Sequence, residues 1–173
     1  EKGKEYEWWK YYNRPLPALK EYQVLKRRLN KAGSLCFVAA RNRTIKYLNN
    51  TAEDILVWGV SEDFEKNRSI SLEYGRYFTD FEIHSGKNHA IIGNRLAADL
   101  FENENPVGRN IKISGNKVTI IGMVQKEGKS MVGGGSMDEQ IMVPIRFFAK
   151  ISNLREESSN PMIWIKAGEN IPV

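Results

Sequence analysis

Apolar side chains at Leu19, Tyr22, Leu25, Leu29 and Ala32 recur at spacings of three and four, which places them along one helical face. The pattern predicts a helix over 18–32, closed by Gly33 in a left-handed cap. Residues 34–40 then read as a buried strand. Residues 44–48 alternate, and 55–60 form a further strand that carries Trp58. Residues 61–69 are polar and aperiodic, and the shift in composition marks a boundary between two subdomains.

Past that boundary, 71–79 leads to a strand at 90–92. Asn94 reads as the N-cap of a short helix that turns Leu96, Ala97, Leu100 and Phe101 inward, and Pro106 and Gly108 end it. Ile111 and Ile113 alternate over 109–114, and Gly115-Asn116 makes a two-residue turn into a strand at 118–124. Residues 125–139 have no apolar period and contain Gly128, Gly133, Gly134 and Gly135. The stretch 128–137 is expected to be a mobile loop without apolar anchors, free to be displaced by a partner. A strand at 140–145 ends at Pro144, whose missing N–H suits a sheet edge. Phe147, Phe148 and Ile151 suggest a short helix, and 162–167 is a last strand with Trp164. The sum is an α+β chain of about eight strands and three or four helices, with no internal repeat.

The N-terminal stretch 1–16 differs from the rest. Tyr6, Trp8, Trp9, Tyr11 and Tyr12 stand among Lys and Glu before Pro15 and Pro17. Such a segment suits a membrane-proximal or partner-facing stalk, and equally a first helix that folds its rings onto the core. With 173 residues and 41% hydrophobic content the chain can bury a real core, as one domain or two small ones. No apolar run approaches the roughly 18 residues of a membrane-spanning helix. The chain has no initiator Met, no signal-peptide pattern and no polar tail after Ile171-Pro172-Val173, so it is expected to be a piece of a larger polypeptide.

Charge changes the picture little. Lys+Arg 26 against Asp+Glu 21 gives +5, yet the cations gather only at Lys26-Arg27-Arg28 and elsewhere alternate with acids, as in Asp63-Phe64-Glu65-Lys66. This is a mixed solvated surface rather than a polyanion site, and no nucleic-acid partner is expected.

The candidate chemistry thins out on inspection. Gly122 and Gly128-Lys129-Ser130 are separated by five residues where a phosphate-cradling loop needs four, and Glu127 would repel a phosphate. Gly134-Gly135-Ser136-Met137-Asp138 puts Asp where a nucleophile elbow needs Gly. The two histidines, His84 and His89, are five apart, a spacing that suits no metal pair on a helix or strand, and they read as exposed turn residues. An enzyme would need one of them to meet Ser136 or a carboxylate. Glu53-Asp54, Asp80 and Glu82, Asp138-Glu139, and Glu156-Glu157 read as solvated loop acids. Cys36, the single cysteine, lies in an apolar strand and reads as an inert buried thiol. No catalytic residue, cofactor or metal ligand is expected.

Six ordered pieces over 72–144 carry a family resemblance. They are Leu72-Glu73-Tyr74-Gly75-Arg76-Tyr77-Phe78-Thr79, Ala90-Ile91-Ile92-Gly93, Leu96-Ala97-Ala98-Asp99-Leu100-Phe101, Asn105-Pro106-Val107-Gly108-Arg109-Asn110-Ile111-Lys112-Ile113, Val118-Thr119-Ile120-Ile121-Gly122-Met123-Val124, and Asp138 through Pro144. Together they resemble the extracytoplasmic domain of MacB-type ABC transporter permeases, which precedes an FtsX-like membrane region. Gly75, Arg76, Gly93, Pro106, Gly108, Gly122 and Pro144 stand in this signature as fold-making positions.

The resemblance implies a two-part ectodomain. A porter-like subdomain would take 17–65 and 151–173, a Sabre-like α/β subdomain 66–150, and 1–16 would be the stalk. It also implies a location in the periplasm or on the extracytoplasmic face, as part of an inner-membrane protein with flanking membrane helices. The implied partners are a second or paired permease, a cytoplasmic ATP-binding subunit or domain, and a periplasmic adaptor or lipoprotein. The implied role is to couple ATP hydrolysis to movement outside the membrane, for efflux and partner docking. The alternative is an FtsX-like signalling permease that regulates a cell-wall hydrolase or sensor kinase. Trp8, Trp9, Tyr11, Tyr12, Gly133, Gly134 and Gly135 are the candidate partner or membrane contacts.

Overall fold

The computed structural model describes residues 15–28, 33–127 and 136–167. Helix α1 (Leu19–Arg28) precedes a hairpin of two long strands, β1 (Gly33–Tyr47) and β2 (Asn50–Val60). There follow α2 (Phe64–Asn67), β3 (Leu72–Gly75), α3 (Asp80–Ser85), β4 (His89–Ile92) and α4 (Asn94–Phe101). The chain continues through β5 (Asn110–Ile113), β6 (Asn116–Val124), a 3-10 turn at Met137–Glu139, β7 (Ile141–Pro144), α5 (Ile145–Ile151), a second 3-10 turn at Glu157–Ser159 and β8 (Met162–Ala167).

All eight strands belong to one sheet. Its path β2–β7–β4–β6–β5–β1 returns to its start because β1 also pairs with β2, while β8 extends the first half of β1 and β3 extends the end of β6. β2 with β7 and β4 with β6 are parallel; the remaining pairs are antiparallel. Both faces are apolar. One packs Phe37, Val57, Ile92 and Ile120 against α1, α4 and α5, and the other packs Val38, Trp58, Ile91 and Met142 against Phe64, Ile83 and Met137. Strands covered on both faces lose the alternating pattern, which is why Leu35 to Ala40 reads as an unbroken apolar run.

The α+β class holds, and α4 buries the Leu96, Ala97, Leu100 and Phe101 face read from its periodicity. Several boundaries need correction. The expected strands 34–40 and 44–48 are a single strand, kinked by a bulge between Arg43 and Ile45. Gly33 has φ 119 and opens β1, paired with Ala167; the expected end of the first helix, 29–32, lies outside the described residues. The polar stretch 61–69 contains α2, held down by the fully buried Phe64. Helix α3 was not expected, and five α-helices stand among the described residues. Gly93, not Asn94, is the N-cap of α4. The β5–β6 turn is Ser114-Gly115, one residue earlier than expected, with φ 49 and 80. Strand β7 lies between β2 and β4 rather than at an edge; Pro144 is tolerated there as its last residue and the N-cap of α5.

The sheet crosses both expected subdomain boundaries. Val57 to Val60 of β2 pair with Ile141 to Pro144 of β7, and Ile45 and Lys46 of β1 pair with Ile113 and Lys112 of β5.

Candidate partner-facing site

The corner between β3 and α3 is the most tightly specified polar site. Gly75 (φ +79) lies opposite Gly122 across the β3–β6 pair, and a Cβ on Gly122 would sit 2.7 Å from the Arg76 carbonyl oxygen. The Arg76 N–H donates to the Ile121 carbonyl at 3.0 Å. Its guanidinium then forks onto Glu82, at 2.8 Å to Oε2 and 2.7 Å to Oε1. Thr79 caps α3 reciprocally: its hydroxyl accepts from the Glu82 N–H, while its own N–H donates to Glu82 Oε2 at 2.8 Å. His89 Nδ1 lies 2.7 Å from Glu82 Oε1. The Arg76 guanidinium, followed by the Thr79 and His89 hydrogen bonds, holds the Glu82 carboxyl far below the usual carboxylate range against the opposing effect of burial.

This corner corrects two readings. Glu82 is buried, at 6% exposure, and not a solvated loop acid. His89 is half-buried at the start of β4 and bound to that carboxylate; His84 lies on α3, with Nε2 3.5 Å from Glu62. Arg76, included only as a fold position, is the clamp of the corner. The Thr-x-x-Glu spacing of Thr79 and Glu82 was the sequence signal for this cap and for α3.

The glycine-rich loop springs from a stapled base. The Glu127 N–H donates to Asp138 Oδ1 at 2.9 Å, the Met137 N–H donates to Glu127 Oε2 at 3.0 Å, and Arg68 pairs with Glu127 at 3.4 Å. The Ser136 hydroxyl accepts from the Asp138 N–H, so it serves as a cap. Met137 is 1% exposed, which overturns the expectation that 128–137 lacks an apolar anchor. Gly93 fits against this base: a Cβ there would sit 2.1 Å from the Met137 carbonyl oxygen. Close approach of this backbone is what requires glycine at 93. The Trp58 indole N–H donates to Gln140 Oε1 at 2.7 Å and Arg95 pairs with Glu139 at 3.0 Å, joining the base to β2 and α4. Gly133, Gly134 and Gly135, like Trp8, Trp9, Tyr11 and Tyr12, lie outside the described residues.

A third polar group ties α1 to the end of β2. Lys26 meets Glu62 at 2.9 Å and Asp63 at 3.2 Å, and Lys66 meets Asp63 at 2.6 Å. Burial works against the Lys26 charge, but the Glu62 and Asp63 carboxylates outweigh it and raise its pKa.

These groups stabilise corners and ends; they do not converge on a cleft. An open depression of about 370 Å³ is lined by Asn42, Arg43, Thr44, Asp54 and Ser114, and the one beside His84 has about 30 Å³, the share of a single water. Among the described residues no three His, Cys, Asp or Glu side chains are grouped to hold a metal ion. Cys36 is fully buried, and burial pushes its thiol up to about 12. At pH 8 the native protein is therefore expected to resist iodoacetamide for hours, and to react with one equivalent once unfolded in urea. Rapid labelling of the folded chain would show that the strand around Cys36 opens readily.

Residues 7–172 match the family described as the MacB-like periplasmic core domain. The chain is 29% identical over 136 residues to the uncharacterized ABC transporter permease YknZ of Bacillus subtilis, covering 78% of this chain and 33% of YknZ. It is 32% identical over 101 residues to the macrolide export ATP-binding/permease protein MacB of Bdellovibrio bacteriovorus, covering 58% of this chain and 15% of that protein. It thus spans a third or less of either relative. Two solved structures share the fold. The extracellular domain of YknZ from Gram-positive bacteria superposes with a TM-score of 0.73 at 20% identity, over 92% of this chain and 78% of that one. The periplasmic region of MacB from Actinobacillus actinomycetemcomitans gives 0.77 at 13% identity, over 98% and 73%. Built on this sheet and matched by the family over residues 7–172, the chain belongs to the MacB-like periplasmic core domain family, the extracytoplasmic part of MacB/YknZ-type ABC transporter permeases.

Proposed function

We propose that the domain is a mechanical lever, coupling ATP hydrolysis on the cytoplasmic side to movement outside the membrane that drives extrusion and presents a docking surface. The observation that carries this reading is the continuity of the sheet. β1 runs 15 residues from Gly33, paired with Ala167 of the last strand, to Tyr47 at the hairpin tip. At about 3.3 Å per residue that is roughly 50 Å, and β1 bonds along the way to β8, β2 and β5. A displacement applied near Gly33 and Ala167 is passed to the far tips with little loss, because a close-packed sheet does not deform continuously. In this reading the porter-like part (17–65 and 151–173) and the Sabre-like part (66–150) share that sheet and move as one body. The partners are a second or paired permease, an ATP-binding subunit, and an extracytoplasmic adaptor or lipoprotein.

The test uses the intact parent permease with its ATP-binding subunit, spin-labelled at Ser114→Cys. Trapping the ATP-bound state is expected to change the distance between labels on the two copies by about 5 Å or more, while the distance from Ser114 to a second label at Asn49 within one copy stays fixed. Hydrolysis with no change between copies would remove the lever reading.

A further inference from the structure

Strand register brings three lysines into one row. Lys46 of β1 is directly opposite Lys112 of β5, and Lys112 is directly opposite Lys117 of β6. Their strand neighbours Ile45, Ile111, Ile113 and Val118 are buried, so the three lysines share the outward face, and all are exposed. Side chains opposed in this way have Cβ atoms about 4.5–5.5 Å apart, where like charges repel. Several surface cations elsewhere on the domain are neutralised: Lys26, Arg41, Arg68, Arg76, Arg95 and Arg109 each meet a carboxylate. Among the described residues Lys46, Lys112 and Lys117 meet none. The adjoining pair on the same face shows the self-satisfying solution, since the Thr119 hydroxyl donates to Asn110 Oδ1 at 2.9 Å.

A second, independent feature adjoins the row. Leu48, two residues beyond Lys46, occupies the first position of the β1–β2 turn with φ 50, and its side chain is 84% exposed. Glycine, asparagine or aspartate ordinarily fills such a position. Here a large apolar side chain is both strained and presented to solvent, at the end of the sheet away from Gly33 and Ala167.

We propose that this face docks the acidic face of a helix belonging to a partner protein. Carboxylates at i, i+4 and i+7 of a helix recur about 5–6 Å apart, matching the step of the lysine row. Alternate side chains of an extended strand recur at about 7 Å and do not match. Leu48 lies about 7 Å from Lys46 along β1, at right angles to the row, so an apolar residue on the flank of the helix, beside the carboxylate that meets Lys46, packs on it. The inference names the docking surface within the lever reading and rests on it only for the biological setting. Helix binding needs no ATP, so the two fail separately.

The experiment uses the 173-residue chain and two helical peptides of identical composition, one with its three Glu at i, i+4 and i+7 and one with them spread around the helix. Fluorescence anisotropy is expected to show the one-face peptide bound about tenfold more tightly at low salt, with the difference shrinking at physiological salt. Lys46→Gln/Lys112→Gln/Lys117→Gln is expected to abolish the preference while its thermal midpoint stays at or above that of the parent, because a repulsion has been removed. Lys112→Gln alone, at the centre of the row, serves if the triple variant does not fold, and Leu48→Asn is expected to weaken binding about threefold. Equal affinity for both peptides, or a preference that survives the lysine substitutions, overturns the proposal. So does binding of phosphatidylglycerol vesicles with the same lysine dependence when neither peptide binds.

Discussion

Replacing Gly75 with alanine is expected to destabilise this domain by about 3–5 kcal/mol, adding left-handed strain to a backbone collision. For a chain of this size that is a fall of roughly 10 °C in Tm. The residue sits at φ +79, where a Cβ is strained in any surroundings, and that Cβ would also lie 2.1 Å from the Ile121 carbonyl oxygen and 2.8 Å from the Gly122 Cα. Both are backbone atoms of a paired strand, so no side chain can rotate away. Relief would require β3 to separate from β6, which loosens the Arg76 clamp next to it. Gly115→Ala is the control. Its φ of +80 is nearly the same, but nothing lies within 4 Å, so only the dihedral strain of about 1 kcal/mol remains. Urea denaturation of both variants separates the two contributions. Equal losses would mean that the close pairing of β3 with β6 imposes no constraint of its own.

Local patterns carried the elements that local physics controls. The three-and-four spacing of α4 and the alternation of Ile111 and Ile113 against Asn110 and Lys112 each read the same in sequence and structure. The signature glycines marked real constraints, but for reasons that lie elsewhere in the chain. Gly93 has an ordinary φ near −70, and its requirement comes from the backbone of Met137 and Asp138 passing over it. No local pattern reports such an approach. The same holds for β7, whose four residues look like an edge strand until β2 and β4 flank it on both sides. The histidines failed for a related reason. Polar neighbours made His89 look exposed, whereas the β3–α3 corner folds Glu82 onto it. The lysine row was invisible for the opposite reason: Lys46 is remote in sequence from Lys112 and Lys117, and only strand register aligns them.

Removing the Arg76 clamp is expected to have the second large effect. Glu82 is 6% exposed and receives hydrogen bonds from Arg76 and Thr79, with His89 against the same carboxylate. Arg76→Ala leaves that buried charge without its strongest partner. About 2–4 kcal/mol is expected, somewhat below the cost of breaking a fully buried pair, because the Arg76 side chain is itself 53% exposed and partly screened. The pH dependence follows from the direction of the Glu82 shift. Its folded pKa is depressed, so in mildly acidic solution the unfolded chain takes up a proton that the folded one does not. Stability from this site is therefore complete above the ordinary glutamate value of about 4.3 and is lost as pH falls through that value toward the folded one. Glu82→Gln removes the titration. Its stability is expected to be lower than the parent's at pH 7, and to fall less steeply between about pH 5 and pH 3. Some slope persists, since the Glu62 and Asp63 carboxyls are also held low: burial raises them, but their lysine partners outweigh it. Arg76→Lys distinguishes charge from geometry. A lysine keeps the attraction to Glu82 but cannot fork onto both carboxylate oxygens, so its loss is expected to fall between those of the parent and Arg76→Ala. Parallel pH profiles for Glu82→Gln and the parent would show that the clamp contributes shape and no charge-dependent stability.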